Sequence, residues 1–437
     1  MTKHFKTIII SSLLPLVLGA TSLPQASEKP LLNLQHYIDY TFDGEIDITC
    51  KEKSALYICE SYNQSISEID DANVSSSASF KKMQIHFHTS LASHLKKELF
   101  EQTIQEMKES EIATQKALDS NNLMLIETPL EDALNRAIMG NLLHISLDGF
   151  DAKHSEPKSH ISIKNITYTN SMKPTAKGVS FVEPIFGKIE LRYTQALMDG
   201  NDSTPFYQKI PAMLEEWFET HNEKRASYVG QKLHELYVNE VISPVDGSVI
   251  LSTQYLGKDA MSLTLEATND NHKNTSGSFS FSGELRNIST LFQASKGTIS
   301  AGMPDFLFNS LELHSFNKAD NYRHLINNDK KLSKYVREYT KLIHEHFDEQ
   351  VQAATSNAIV TQWFEEAKVA FTKIIQGEAD KLDISISNKK GLSAMELFGI
   401  VMGRMMQAPK KGSQAPSQED VAIDMATEYL ELKIKAH

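Results

Sequence analysis

The stretch GSVILSTQYL, residues 247–256, places Val249, Leu251, Thr253 and Tyr255 on alternate positions, with Ser248, Ser252 and Gln254 among the residues between them. Successive side chains of a strand point to opposite faces, so this pattern predicts an antiparallel strand with one face covered and the other in water. The same texture recurs on either side. GSFSFSGEL (277–285) alternates through Phe279 and Phe281, and GKIELRY (187–193) through Ile189, Leu191 and Tyr193. Together these runs predict a sheet whose second face, rich in serine, threonine and charge, looks at solvent.

Between the strand-like runs lie longer segments with helical spacing. Residues 91–107 set Leu91, Leu95, Leu99, Ile104 and Met107 near one face, and residues 209–242 carry Ile210, Leu214, Trp217, Phe218, Val229 and Leu233. Residues 332–375 continue with Leu332, Val336, Tyr339, Ile343, Phe347, Val360 and Phe371. An apolar stripe at this spacing predicts amphipathic helices, here long enough to form pairs. TPLED (128–132) and TPFYQ (204–208) read as helix starts, with threonine as cap and proline in the first turn.

The two textures alternate in a regular order. KMQIHFHTSL (82–91) leads into a helical region that ends at LLHISLDGF (142–150); GKIELRYTQA (187–196) and NSLELHSFNKA (309–319) do the same, ending at DGSVILSTQY (246–255) and DKLDISISNK (380–389). The predicted class is α+β: an antiparallel sheet with helix pairs packed on one face, interrupted near 91–140, 205–242 and 320–377 in a threefold strand–helix–helix–strand repeat. Any alternating α+β chain can be cut into similar pieces, so the recurrence alone does not require duplication. The expected organisation is a signal peptide (1–22), an N-terminal β segment with a disulfide hairpin (23–80), an α+β body (81–406), a polar linker (407–418) and a C-terminal amphipathic helix (419–437). That last helix places Val421, Met425, Tyr429 and Leu432 on one stripe, and its linker suggests that it docks on the body yet is dispensable for folding.

The first residues, MTKHFKTIIISSLLPLVLGATSLPQAS, put Lys3 and Lys6 before an apolar run from Thr7 to Leu18 and small residues after it. This is a secretory signal pattern; the run is shorter than the ~20 residues a membrane span needs and contains Pro15, so no transmembrane segment is expected in the mature chain. Cys50 and Cys59, the only cysteines, then read as a disulfide closing a hairpin, because C-x8-C is neither a zinc spacing nor a redox motif. The expected location is periplasmic or secreted. The composition, 41% hydrophobic and 23% charged, supports a real core. Cleavage of the signal moves the formal charge from −12 to −14 by taking away Lys3 and Lys6, and with no basic stripe the chain is not expected to bind nucleic acid.

Reactive chemistry is hard to find. His86 and His88 share one face of a strand and are the leading metal-ligand candidates, although zinc requires a third protein ligand that the sequence does not supply. His344 and His346, two apart on a helix, do not face each other. Glu215–Glu216 reads as part of a wet helical face, TNDNHKNTSG (268–277) as a hairpin loop, and the S-x-x-K triplets lack the elements that accompany them in cell-wall enzymes. No phosphate loop, nucleophile elbow or cofactor motif occurs, so no cofactor is expected. Asn73 and Asn201, in DANVS and DGNDS, resemble the extended acceptor of bacterial N-glycosylation. The resulting expectation is an exported, non-catalytic binding or envelope-scaffold protein. Its alternatives are a carrier of a lipid-like ligand and a metal-dependent enzyme centred on His86 and His88.

Overall fold

The computed structural model describes residues 26–41, 46–69, 75–119, 129–155, 158–171, 187–200, 204–236, 244–271, 275–288, 305–353, 357–405 and 427–437. The signal segment, the linker 407–418, Asn73 and Asn201 lie outside the described residues. The chain is α+β with antiparallel strand pairing, and contacts divide it into two compact units: Met1–Glu156 with His160–Met172, and Pro157–Ser159 with Lys173–His437. The boundary expected at residues 80–81 falls inside a strand of the first unit.

The first described element is a helix absent from the sequence reading, α1 (Pro30–Thr41), within the stretch 23–80 expected as a β segment with a disulfide hairpin. Pro30 occupies its first position, and Leu34, Tyr37 and Ile38, spaced to share one face, are buried. Asn33 fixes the helix at its start: its Nδ2 donates to the Leu95 and Ser27 carbonyls, at 2.8 Å each, and its Oδ1 accepts from the Ser27 N–H. Strands β1 (Thr49–Lys53), β2 (Leu56–Ile69), β3 (Ser75–His88), β4 (Leu142–Ser155) and β5 (Lys158–Asn170) follow one another in the sheet as they do in the chain. Cys50 and Cys59 stand directly opposite each other on β1 and β2 and are bonded, which accords with an oxidising compartment. Between β3 and β4 come a single 3-10 turn (Thr89–Ser93), α2 (Lys97–Asp119) and α3 (Pro129–Asn141). Their side chains Leu91, Phe100, Met107 and Leu134 join Leu34 of α1 against Tyr57, Cys59, Ile85 and Phe87 in one continuous core.

Among the described residues the second unit has seven strands, again adjacent in sequence order: β6 (Gly187–Gly200), β7 (Val245–Gly257), β8 (Ala260–Asp270), β9 (Thr275–Arg286), β10 (Asp305–Asn317), β11 (Lys381–Asn388) and β12 (Leu430–Ala436). Helices α4 (Thr204–Trp217) and α5 (Glu223–Leu236) separate β6 from β7; α6 (Asp320–Asn328), α7 (Lys330–Ala353) and α8 (Ala358–Ile375) separate β10 from β11; α9 (Ala394–Met405) follows β11. Because β6 and β10 run in the same direction, both helical excursions leave from one end of the sheet. The β7–β8 turn and α9 lie at the other.

Strand β12 corrects the expected C-terminal helix. LELKIKA places Leu430, Leu432, Ile434 and Ala436 two apart, and they pair with Asn388, Ile386, Ile384 and Leu382 of β11. A second correction concerns Glu215, expected on a wet helical face. It is only 3% exposed and accepts bonds from Arg225 Nε (2.6 Å) and Nη2 (2.7 Å), from the Tyr339 hydroxyl (2.7 Å), from the Thr220 hydroxyl and from the Asn222 N–H. Arg225, 6% exposed, also reaches Glu338 at 3.2 Å, so one ion cluster joins α4, α5 and α7. Burial alone would raise the Glu215 carboxyl; the donors around it outweigh that and bring it down to about 2.

No helix among the described residues is long and apolar enough to cross a membrane.

Candidate functional site

Register decides what the alternating strands of the second unit build. Ile189, Leu251, Leu265, Phe281, Leu311, Ile386 and Leu432 stand opposite one another from β6 to β12, each paired with the next. A parallel row runs through Leu191, Val249, Ala267, Phe279, Leu313, Ile384 and Ile434. A one-residue shift of any strand would turn its apolar set to the other side, so both rows are unbroken only because every pairing keeps step. A bulge between Phe308 and Ser310 preserves this phase: it puts Phe306 and Phe308 on the same side as Leu311, within 6.0 Å of the Phe281 ring centre.

The opposite side is polar. It carries, for example, the row Lys188, Ser252, Thr264, Ser282, Ser310, Ser387 and Glu431, with the Ser282 and Ser310 hydroxyls 2.7 Å apart. The sheet is therefore amphipathic across its whole width, about 30 Å at a strand spacing of about 4.8 Å.

Cover over the apolar side is partial. At β11 and β12, helix α8 lays Ala370 and Ile374 over Leu382, Ile434 and Ala436. From β6 to β10 the large apolar side chains of the two rows are not buried: Leu251, Leu265, Phe281 and Leu311 are half-buried, and Val249, Leu313 and, beyond the rows, Tyr255 are exposed; Thr253 and Gly283 on this face are buried. Among the described residues, none of them belongs to a buried core cluster. Among the described residues, the area without a core cluster over it is roughly 20 Å by 20 Å, on the order of 400 Å² by strand spacing and rise, the size at which apolar patches on monomers are commonly functional.

Aromatic rings shape this surface through glycine. The Tyr193 ring lies where a Cβ on Gly247 would be, and the Phe306 ring would stand 2.8 Å from a Cβ on Gly283. The outer ends of both rings thus reach over a neighbouring strand at a glycine, extending the surface across the strand boundary.

The two histidines expected as metal ligands, both on β3, take different neighbours. His88 faces Ser90, with its Nδ1 accepting from the Ser90 N–H at the start of the 3-10 turn. His86 instead stands opposite His144 on β4, ring centres 5.1 Å apart, with its Nε2 shielded and without a hydrogen-bond partner among the described residues. His344 bonds Thr372 while His346 packs against Trp217. Among the described residues, no group of three or more His, Cys, Asp or Glu side chains is arranged to hold a metal ion. His144 could have been found from the sequence only by assuming the β3–β4 register.

Burial lowers the imidazoles of both His86 and His144, and for His86 the neighbouring His144 and Lys82 act in the same direction against Glu60. A group that resists protonation in the folded state contributes stability that is complete above its unfolded pKa, ~6.5 for histidine. That contribution is lost as the pH falls through this value toward the lower folded one. Melting curves of the wild type are therefore expected to lose stability from about pH 6.5 downward. In His86→Gln/His144→Gln that loss should shrink; an identical pH dependence in the two proteins would refute the assignment.

The chain matches no protein-family model, and a comparison with curated proteins finds no match.

Proposed function

We propose that this is an exported, periplasmic, non-catalytic binding protein whose ligand is a lipid-like amphiphile, held with its acyl chains against the apolar side of β6–β10. The observation that carries the reading is the pair of unbroken apolar rows that, among the described residues, have no core partner over five strands. Apolar area of this kind is driven from water at about 25 cal/mol per Å², and the rows offer no donor, acceptor or charge to a polar ligand. A hydrocarbon chain asks for nothing else. Export is supported by the N-terminal signal pattern together with the Cys50–Cys59 bond.

The architecture extends this reading. The helical excursions β3 to β4, β6 to β7 and β10 to β11 are taken as copies of one strand, helix pair, strand unit with the helices on one face, the third copy carrying the short α6 in addition. An experimental structure in which the three excursions do not superpose would remove the duplication and leave the binding reading intact.

The test is direct. Protein purified from the exported fraction is extracted with chloroform–methanol, and the extract is analysed by mass spectrometry; acyl-chain species are expected in stoichiometric amount. A fluorescent fatty acid should bind saturably to the delipidated protein. A carboxylate in the row, Leu265→Asp or Phe281→Asp, should weaken that binding tenfold or more, since burying an unpaired charge costs several kcal/mol. Ser280→Asp, on the polar side, should leave it unchanged. No extracted lipid together with probe binding indifferent to Leu265→Asp would favour a scaffold role.

A further inference from the structure

In the first unit, Tyr57, Cys59, Ile85 and Phe87 point into the core, so Ile58, His86 and His144, in line across β2, β3 and β4, belong to the opposite face of the sheet. There the two imidazoles meet, with ring centres 5.1 Å apart and planes inclined at 49°. That inclination is neither the offset stack nor the edge-to-face contact that aromatic attraction favours. His86 Nε2 is shielded from solvent and unpartnered among the described residues, an uncommon state for a polar atom. His144 is held instead: its ring bonds to the backbone of Tyr168 on β5. Fixing one ring nitrogen on the backbone sets the tautomer and orientation, and leaves the lone pair of the other nitrogen for a metal ion.

The spacing agrees with a shared ion. Two imidazoles bound at about 2.0–2.1 Å place their ring centres about 5.2 Å apart at a tetrahedral angle and about 4.5 Å apart at a right angle. The backbones of β3 and β4 therefore already stand at a chelating separation. Other protein ligands are engaged elsewhere. Glu60 and Gln84 form the next pair along this face, and Glu60 is taken up by Gln84 Nε2 at 2.6 Å and by Lys51. His88 bonds Ser90. Two nitrogens are fewer than the three or four protein ligands that zinc sites use. Copper asks for less, because it heads the divalent first-row metals in affinity for a given set of imidazole ligands.

We infer that His86 and His144 together bind one Cu(II) ion between β3 and β4, each through one ring nitrogen. Both residues are only half-buried, so water has access to complete the coordination. The ion would satisfy the orphaned Nε2 and tie two neighbouring strands through their side chains. This site lies in the first unit and does not depend on the acyl-chain reading.

The experiment adds Cu(II) to the full chain, first freed of metal with EDTA, and records pulsed electron paramagnetic resonance at one equivalent. The wild-type spectrum should carry the remote-nitrogen modulation of two equatorial imidazoles. His86→Gln and His144→Gln should each weaken binding of the first equivalent at least about tenfold and leave no more than one imidazole in the spectrum. His88→Gln should change neither, and one equivalent of Zn(II) should not displace the copper. Circular dichroism checks that the variants fold, while the wild-type imidazole count needs no variant at all. A wild-type spectrum with one imidazole or none overturns the inference. So does copper binding that both variants leave unchanged, which would mark an adventitious ion only, or binding lost in His88→Gln, which would move the ion to the pair on β3. Displacement of copper by one equivalent of zinc would also overturn it, since a further protein ligand would then be at work.

Discussion

Glu215→Ala is expected to destabilise the second unit by about 3–5 kcal/mol, the cost of leaving one partner of a buried ion pair uncompensated. Arg225 would keep Thr220 and Glu338 as acceptors but lose the bidentate carboxylate that neutralises it inside the helical layer. The Tyr339 hydroxyl would lose its 2.7 Å acceptor as well, leaving only the 3.4 Å contact to the Pro211 carbonyl. Three helices share this cluster, so the damage should appear as a lower melting transition of the whole unit and not as local fraying. The double variant Glu215→Leu/Arg225→Leu should recover much of the loss, because replacing both charges removes the desolvation cost with the attraction. Equal melting of Glu215→Ala and wild type, by circular dichroism at neutral pH, would show that the pair is not load-sharing. A double variant no better than the single would show that shape, not charge, sets the cost.

Truncation after Gln407 is expected to give an aggregating protein, the reverse of what a linker followed by a docked helix implies. The deletion removes β12, and with it seven paired positions along β11. It also removes the His437 carbonyl that accepts from the Asp380 and Lys381 N–H groups. Leu430, Leu432, Ile434, Ala436 and Tyr429 would go together, each contributing up to about 1.5–3 kcal/mol for full burial and less where half-buried. The remaining β11 would become an exposed edge, with its backbone groups unpaired and Ile384 and Ile386 deprived of their β12 neighbours, a template for intermolecular pairing. Size-exclusion chromatography of the truncated and full chains decides this; a monomeric truncated protein with an unchanged melting transition would show that β12 is peripheral.

Why the C-terminus was misread is instructive. In EDVAIDMATEYLELKIKAH, Val421, Met425, Tyr429 and Leu432 satisfy a helical stripe, while Leu430, Leu432, Ile434 and Ala436 satisfy a strand. Short apolar patterns support both periods, and the choice was made by β11, which needed an edge partner. The interior strands and the positions of the helical excursions were legible because long alternating runs and long stripes are each hard to produce by accident. Helix α1 was missed because twelve residues between a signal segment and a hairpin show only three well-spaced apolar positions. Glu215 was missed because burial of a charge depends on Arg225 and Tyr339, 10 and 124 positions away. The candidate site was half legible. Each strand announced an apolar side, but only the ladder register shows that the sides coincide, and only the packing shows that α8 covers two strands while, among the described residues, the rows on the other five join no buried core cluster.

Within each unit every strand pairs with the strand before and after it in the chain. For a polypeptide emerging N-terminus first, this means that no ladder waits for a distant segment: β7, β8 and β9 can close on one another as soon as their short turns are made, and even β11 needs only the helices since β10 to have formed. Among β7, β8 and β9, where the turns are short, pairing of this kind is local, which favours rapid assembly of that part and shortens the time that its edges stay open. It also leaves growth simple. A further hairpin could be spliced between two strands, lengthening both apolar rows by two members, without rethreading any existing connection.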